Sequence, residues 1–98
     1  MKRQDIIATL KEHEPSLRAR GVAHAALFGS RARGDDRPGS DIDIVIEIAA
    51  EAPVGLWEYA GLKEYIASLF EGPVDVVSWD GLKWYVRPKV TADAIHAF

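Results

Sequence analysis

The sequence contains no cysteine, which excludes disulfide frameworks, thiolate nucleophiles and zinc–cysteine sites. It also lacks an excess of positive charge, because 12 Lys and Arg stand against 15 Asp and Glu, a formal net charge of −3. Proteins that coat nucleic acid or an anionic membrane carry a basic surface, so neither role is expected. No uncharged stretch approaches the ~18 residues of a spanning helix, and no secretory signal is evident, so a soluble cytoplasmic protein is the expectation.

The length of 98 residues leaves room for one small domain. The composition is globular, with 48% hydrophobic and 28% charged residues. There are no internal repeats, low-complexity segments or linkers, so residues 1–98 are expected to form a single folding unit.

Hydrophobic spacing predicts three short strands: the first is nearly all apolar, the second alternates, and the third is rich in β-branched residues. They are expected at Val22–Phe28, Asp41–Ile48 and Val74–Trp79. The second strand alternates cleanly, so its isoleucines at 42, 44, 46 and 48 should share the core face while Asp41, Asp43 and Glu47 share the other.

Helices are predicted before, between and after these strands. Their expected ranges are residues 3–13, Glu14–Gly21, the apolar spacing from Tyr59 to Leu69, and part of Leu82–Phe98, where Pro88 should kink or break the helix. The segment Gly29–Ser40, with three glycines and a proline, is predicted to be a loop. The expected fold class is α/β (α+β), a small mixed β-sheet with helices packed on it.

The segment Gly29-Ser30-Arg31-Ala32-Arg33-Gly34 follows directly after the first predicted strand. A glycine-rich turn in this place lets backbone N–H groups approach an anion, and Ser30 adds a hydroxyl donor, which is how proteins hold phosphates. The segment has neither the Gly-Lys-Ser/Thr end of a Walker A loop nor a Gly-x-Gly-x-x-Gly fingerprint.

Three aspartates lie on the second and third predicted strands, where their negative charges need compensation. Asp41 and Asp43 project from one face of one strand, with Cα atoms roughly 7 Å apart, and Asp75 lies within a valine run on the next. Carboxylates placed in this way repel each other unless a cation lies between them, and Mg²⁺ held by carboxylates and phosphate oxygens is the usual solution in phosphoryl chemistry. The alternatives are a solvated strand face for Asp41 and Asp43, and a paired buried carboxylate for Asp75.

In combination, these motifs resemble the minimal nucleotidyltransferase family of the DNA polymerase β-like superfamily. The residues that carry the resemblance are Gly29-Ser30-Arg31-Ala32-Arg33-Gly34, Ser40-Asp41-Ile42-Asp43-Ile44-Val45-Ile46 and Val74-Asp75-Val76-Val77. The resemblance implies that Gly29 and Ser30 hold the nucleoside triphosphate. It also implies that Asp41, Asp43 and Asp75 are catalytic residues that bind two Mg²⁺ ions.

The implied reaction transfers a nucleoside monophosphate, AMP if the donor is ATP, to a protein or nucleic-acid hydroxyl. In the resemblance Asp75 lies near the incoming hydroxyl, so it is assigned as metal ligand and general base. Arg31 and Arg33 could neutralise the triphosphate, although their alternation suggests that only one points inward, and both could instead be surface arginines paired with acids.

The family resemblance also implies a partner, a small helical HEPN protein that acts as the toxin of a toxin–antitoxin pair. The sequence leaves open whether the chain forms a homo-oligomer. The competing interpretation is a non-catalytic antitoxin or regulatory subunit that neutralises its partner by contact and has a vestigial site. Exposed aromatic surface around Trp57, or the terminal segment Val90–Phe98, could then dock the partner.

Other conspicuous side chains have ordinary explanations. Five aromatic residues are expected in the core or an interface more than in a base-stacking platform: Trp57, Trp79, Trp84, Tyr65 and Tyr85. His13 and His24 are expected to pack on apolar faces, since neither has metal-ligand spacing. A calcium loop at Asp41 and Asp43 is disfavoured because the glycine and the terminal Glu of an EF-hand are absent.

Overall fold

The structure, a computed structural model, describes residues 1–98 as five helices, four strands and one 3₁₀ turn. The helices are α1 (Arg3–Glu12), α2 (Glu14–Ala19), α3 (Ser30–Arg33), α4 (Leu56–Ser68) and α5 (Arg87–Asp93). The strands are β1 (Val22–Phe28), β2 (Ile42–Ile48), β3 (Val74–Ser78) and β4 (Ile95–His96), and the 3₁₀ turn is Trp79–Gly81.

The four strands form one mixed sheet in the order β3-β2-β1-β4. β1 runs antiparallel to both β2 and β4, whereas β2 and β3 are parallel. The hairpin-like pairing of β1 with β2 and the helical crossover from β2 to β3 are the connections that these two orientations require. The predicted fold class, α/β (α+β) with a small mixed sheet and packed helices, is confirmed.

One face of the sheet carries the main hydrophobic core. Ile42, Ile44 and Ile46 of β2 are buried in it, as the alternation predicts, while Ile48 is only partly buried at its edge. Helices α1, α2 and α4 cover this face with buried side chains spaced at three or four residues: Ile6, Leu10, Leu17, Leu62 and Ile66.

The other face has a much smaller apolar cluster. Ala26 of β1, Val45 of β2 and Val90 of α5 form its buried centre. This cluster covers only part of the face, since Asp41 and Asp75 are exposed and Asp43 is partly buried at the beginning of the two parallel strands. A polar area therefore lies beside an apolar one on the same face of the sheet.

Four features of the elements differ from the sequence predictions. The predicted loop Gly29–Ser40 contains helix α3, which is too short for hydrophobic periodicity to reveal it. Pro88 is the second residue of α5, which begins at Arg87, and does not break the helix, because a proline in the first turn gives up no helical hydrogen bond. β4, with two residues, was not predicted, and β3 ends at Ser78 because Trp79 begins the 3₁₀ turn.

None of the helices combines the length and apolar character that crossing a bilayer requires; the longest, α4, has 13 residues.

Candidate functional site

The candidate site begins at the junction of β1 and α3, where Gly29 has φ 75° and ψ −158°. This backbone conformation is essentially restricted to glycine. A Cβ atom at this position would also overlap Oδ2 of Asp43, so the backbone of Gly29 lies directly against that carboxylate. The glycine therefore lets the chain turn sharply into α3 while Asp43 remains beside the turn.

Two of the three predicted carboxylates lie side by side in the sheet. Asp43 of β2 pairs in register with Asp75 of β3 across the parallel ladder, and Phe28 of β1 pairs with Asp43 on the other side. Asp41 lies immediately before β2 and is exposed. The carboxylates of two strands and the turn after a third thus meet at one end of the sheet.

The ionised form of Asp43 is disfavoured in this place. Burial is the largest cause that raises the pKa of its carboxyl group, followed by repulsion from Asp75 and then from Asp41. The positive charge of Arg33 acts in the opposite direction and lowers the pKa of Asp43. Asp75, Asp41 and Arg33 therefore all lie close enough for their charges to act on the carboxyl group of Asp43.

The chemistry of this donor set fits a hard divalent cation. A cation bound to the carboxylates would remove the repulsion that raises the pKa of Asp43, and carboxylate oxygens are the ligands that Mg²⁺ prefers. The side chains do not converge, however, since no group of three His, Cys, Asp or Glu residues surrounds a common point that could hold a metal ion. The carboxylates are thus of the residue type that binds Mg²⁺, but their side chains do not surround one point in this structure.

Helix α3 has only four residues, and arginine side chains tie it to the rest of the chain. Nη1 of Arg3 in α1 donates to the carbonyl oxygen of Ala32 at 2.8 Å. Nε and Nη2 of Arg31 donate to the carbonyl oxygen of Ser40 at 3.3 and 2.9 Å. These contacts fix α3 against the N-terminal helix and against the residue that precedes Asp41.

Arg33 makes the third tie and points to a different part of the fold. Its Nε donates to Oδ2 of Asp35 at 3.1 Å, and its Nη1 donates to Oδ2 of Asp93, the last residue of α5, at 2.7 Å. Hydrogen bonds to Asp35 and then to Asp93 raise the pKa of Arg33 above its ordinary value. Of the two arginines in the motif, Arg33 is the one whose charge acts on Asp43, while Arg31 is held by Ser40.

The structure thus brings Gly29, Ser30, Asp43 and Asp75 to one end of the sheet, with Asp41 next to them. Sequence reasoning missed Asp93, because its contact with Arg33 spans 60 residues and nothing in the local sequence indicates it. Glu47 lies farther along β2, where it is exposed and 3.6 Å from His24. His24 is itself exposed, so the expectation that it packs on an apolar face is wrong.

Several large apolar side chains outside this site face solvent. Leu56, Trp57, Trp84 and Tyr85 are between 59% and 84% exposed. A core role, one of the two expected for Trp57, Trp84 and Tyr85, is therefore excluded, and an interface role stays open. The rings of Trp84 and Tyr85 contact each other edge to face, with centroids 5.7 Å apart.

The chain resembles known proteins over almost its whole length. Residues 7–96 match the family model described as "Nucleotidyltransferase domain". The protein adenylyltransferase MntA of Thermococcus cleftensis is 32% identical over 94 residues, which cover 95% of this chain and 93% of that protein.

Solved structures give the same result. A protein proposed to be a minimal nucleotidyltransferase is similar with a TM-score of 0.69 and 29% identity, over 97% of this chain and 95% of that one. One chain of a tri-AMPylated Shewanella oneidensis HEPN toxin in complex with an MNT antitoxin matches with a TM-score of 0.64 over 94% of this chain and 71% of that one. Its identity is 18%, so this second match shows a shared fold alone.

Proposed function

The chain belongs to the family of nucleotidyltransferase domains, as a minimal nucleotidyltransferase, and from this premise we propose that it transfers AMP from ATP to a hydroxyl group of a protein. The observation that carries the proposal is the pairing of Asp43 with Asp75 across β2 and β3, directly beside the turn at Gly29. On this proposal residues 1–98 act as one catalytic domain.

Asp41, Asp43 and Asp75 would hold two Mg²⁺ ions. When bound, such a pair of ions stabilises both the attacking and the leaving oxygen of a phosphoryl transfer. The raised pKa of Asp43 supports this assignment, because a bound cation would offset both the burial and the repulsion from Asp75 and Asp41 that disfavour the ionised carboxylate.

The remaining steps belong to the residues around the carboxylates. Backbone N–H groups at Gly29 and Ser30, with the Ser30 hydroxyl, would orient the triphosphate. Asp75 would accept the proton of the acceptor hydroxyl, whose oxygen then bonds to the α-phosphorus while pyrophosphate leaves. Arg33 would offset negative charge on the phosphates, whereas Arg31, with its donors on Ser40, would maintain the shape of the loop.

The choice of AMP and of a protein acceptor rests on the relatives. The Thermococcus protein carries the name of a protein adenylyltransferase, and it aligns with nearly all of this chain. The Shewanella complex joins an MNT antitoxin to an AMPylated HEPN toxin. By analogy, the partner and acceptor of this chain would be a helical HEPN protein, and the chain would act as its antitoxin.

A transfer assay with labelled ATP tests this proposal. The purified chain would be incubated with labelled ATP, Mg²⁺ and its co-purified protein partner, in parallel with an Asp43→Ala chain and a Glu47→Ala chain. Asp43 is in the proposed site, whereas Glu47 is an exposed acid on the same strand and serves as the matched control. Label on the partner with the wild type and the control, but not with Asp43→Ala, is expected; equal labelling by all three would refute the proposal.

The exposed aromatic residues favour a second candidate function, a binding subunit that neutralises its partner by contact alone. Trp57 is 84% and Trp84 is 80% exposed, and side chains of this kind are enriched in protein interfaces. Neutralisation of the partner that survives the double substitution Asp41→Ala with Asp43→Ala would support this second function over transfer.

A further inference from the structure

The contact between Arg33 and Asp93 joins the motif loop to the C-terminal helix. The side chain of Asp93 is only 15% exposed, although it is charged. Asp93 is also the last residue of α5, where the negative end of the helix dipole disfavours an acidic side chain. Its partner Arg33, at 2.7 Å, compensates for both unfavourable features.

Arg33 has donors left over after these contacts. A guanidinium group carries five N–H donors, and Arg33 uses its Nε on Asp35 and one Nη1 hydrogen on Asp93. Both hydrogens of Nη2 and the second hydrogen of Nη1 remain for another acceptor. Because two carboxylates hydrogen-bond to the group at Nε and Nη1, the two contacts together set the plane of the guanidinium and the direction of these donors.

The position of Arg33 suits a phosphate ligand. Arg33 is the last residue of the short helix that begins at Ser30. Its partner Asp93 ends α5, and α5 packs through Val90 against Val45, which shares its face of β2 with Asp43. An arginine pinned in this place can offer its remaining donors to a triphosphate without first losing side-chain entropy.

We propose that Asp93 is a positioning residue for nucleotide binding: together with Asp35 it holds the guanidinium of Arg33 in the orientation that contacts the triphosphate. This inference rests on the proposed function, because it assumes that the triphosphate lies at the turn between Gly29 and α3. Asp93 itself does not touch the nucleotide and acts only through Arg33.

Kinetics and binding separate this role from a purely structural one. The variants are Asp93→Ala, the conservative Asp93→Asn, Arg33→Met and the double variant Arg33→Met with Asp93→Ala. Asp80→Ala is the matched control, since Asp80 is an exposed acid beyond the other end of β3. For each chain we would measure KM for ATP and kcat, and, by calorimetry, the Kd of a non-hydrolysable ATP analogue with Mg²⁺.

Asp93→Ala is expected to raise KM and Kd about tenfold while kcat stays within about twofold, because the lost contact is made equally in the ground and transition states. Asp93→Asn keeps an acceptor for Arg33 and should fall between Asp93→Ala and the wild type. In the Arg33→Met background Asp93→Ala should have no further effect, and Asp80→Ala should match the wild type.

Two results would overturn the proposal: a Kd unchanged by Asp93→Ala, or a Kd raised by the same factor whether or not Arg33 is present. Thermal unfolding of every variant identifies a chain that has lost its fold. If Asp93→Ala does not fold, Asp93→Asn replaces it in the comparison with and without Arg33. The binding arm is independent of catalysis. A wild-type chain that binds the analogue in an Asp93-dependent way but transfers nothing would refute the proposed function and leave this inference standing.

Discussion

Substituting Gly29 by alanine tests the geometry of the site without removing any charged group. The φ and ψ of Gly29 lie in a region nearly closed to other residues, which costs about 1–3 kcal/mol. The new Cβ would also overlap Oδ2 of Asp43, and overpacking of this kind costs about 1–3 kcal/mol more. The free energy of unfolding should therefore fall by about 2–6 kcal/mol.

Gly34→Ala is the matched control for this substitution. Gly34 also has a positive φ, 83°, but a Cβ atom there would meet nothing within 4 Å. Its cost should be the left-handed backbone strain alone, about 1–2 kcal/mol. Both substitutions restrict the unfolded chain equally, so the difference between them contains the contact with Asp43 and the difference in backbone strain between the two positions.

Urea unfolding and thermal melting would measure the two costs. A loss of about 2 kcal/mol, the lower end expected for Gly29→Ala, should lower the Tm of a chain of this size by roughly 8–16 °C. In an Asp43→Ala background Oδ2 and Cγ are absent, so the cost of Gly29→Ala should fall toward that of Gly34→Ala. If Gly29→Ala costs no more than Gly34→Ala, or the same with and without the Asp43 carboxylate, the close approach described for the site is wrong.

Three further predictions concern the carboxylates and the core. Asp43→Asn should abolish nucleotidyl transfer and raise the free energy of unfolding at neutral pH. The variant should be more stable because it lacks a carboxylate whose ionisation is disfavoured by burial and by Asp75. A less stable variant would contradict this prediction. Since the pKa of Asp43 is raised in the folded state, folded chains bind more protons than unfolded ones between the ordinary pKa and the raised one. Wild-type stability relative to Asp43→Asn should therefore increase as pH falls through that window, as urea titrations across pH can check. Ile44→Ala should cost about 2–5 kcal/mol by urea unfolding, because Ile44 is fully buried in the main core, and a cost below about 1 kcal/mol would contradict the described packing.

The elements with strong hydrophobic patterns were predictable from the sequence. β1 has the predicted bounds, Val22–Phe28, and β2 differs from its predicted range only by the loss of Asp41. In both, the pattern follows from burial: β1 is a nearly continuous apolar run, and in β2 the alternating isoleucines point into the core. The positions of the motif residues in the fold were predictable for the same reason, because these residues lie where strands begin or end.

What the sequence could not predict depends on contacts between distant residues. α3 is stabilised by Arg3 and Asp93, which are far from it in the chain, rather than by its own four residues. β4 is a strand only because β1 offers it an edge to pair with. The different surroundings of Arg31 and Arg33 follow from the same cause, since each guanidinium finds its partners in another part of the fold.

The central claim is that the carboxylates at the start of β2 and β3 form one transfer site, and mass spectrometry of the partner tests it most directly. The partner would be purified from cells that co-express it with the wild-type chain, with Asp75→Asn, or with the surface control Asp80→Asn. We expect the added mass of one or more AMP groups with the wild type and with Asp80→Asn, and an unmodified partner with a folded Asp75→Asn chain. A partner modified equally by Asp75→Asn, or left unmodified by the wild type, would contradict the account.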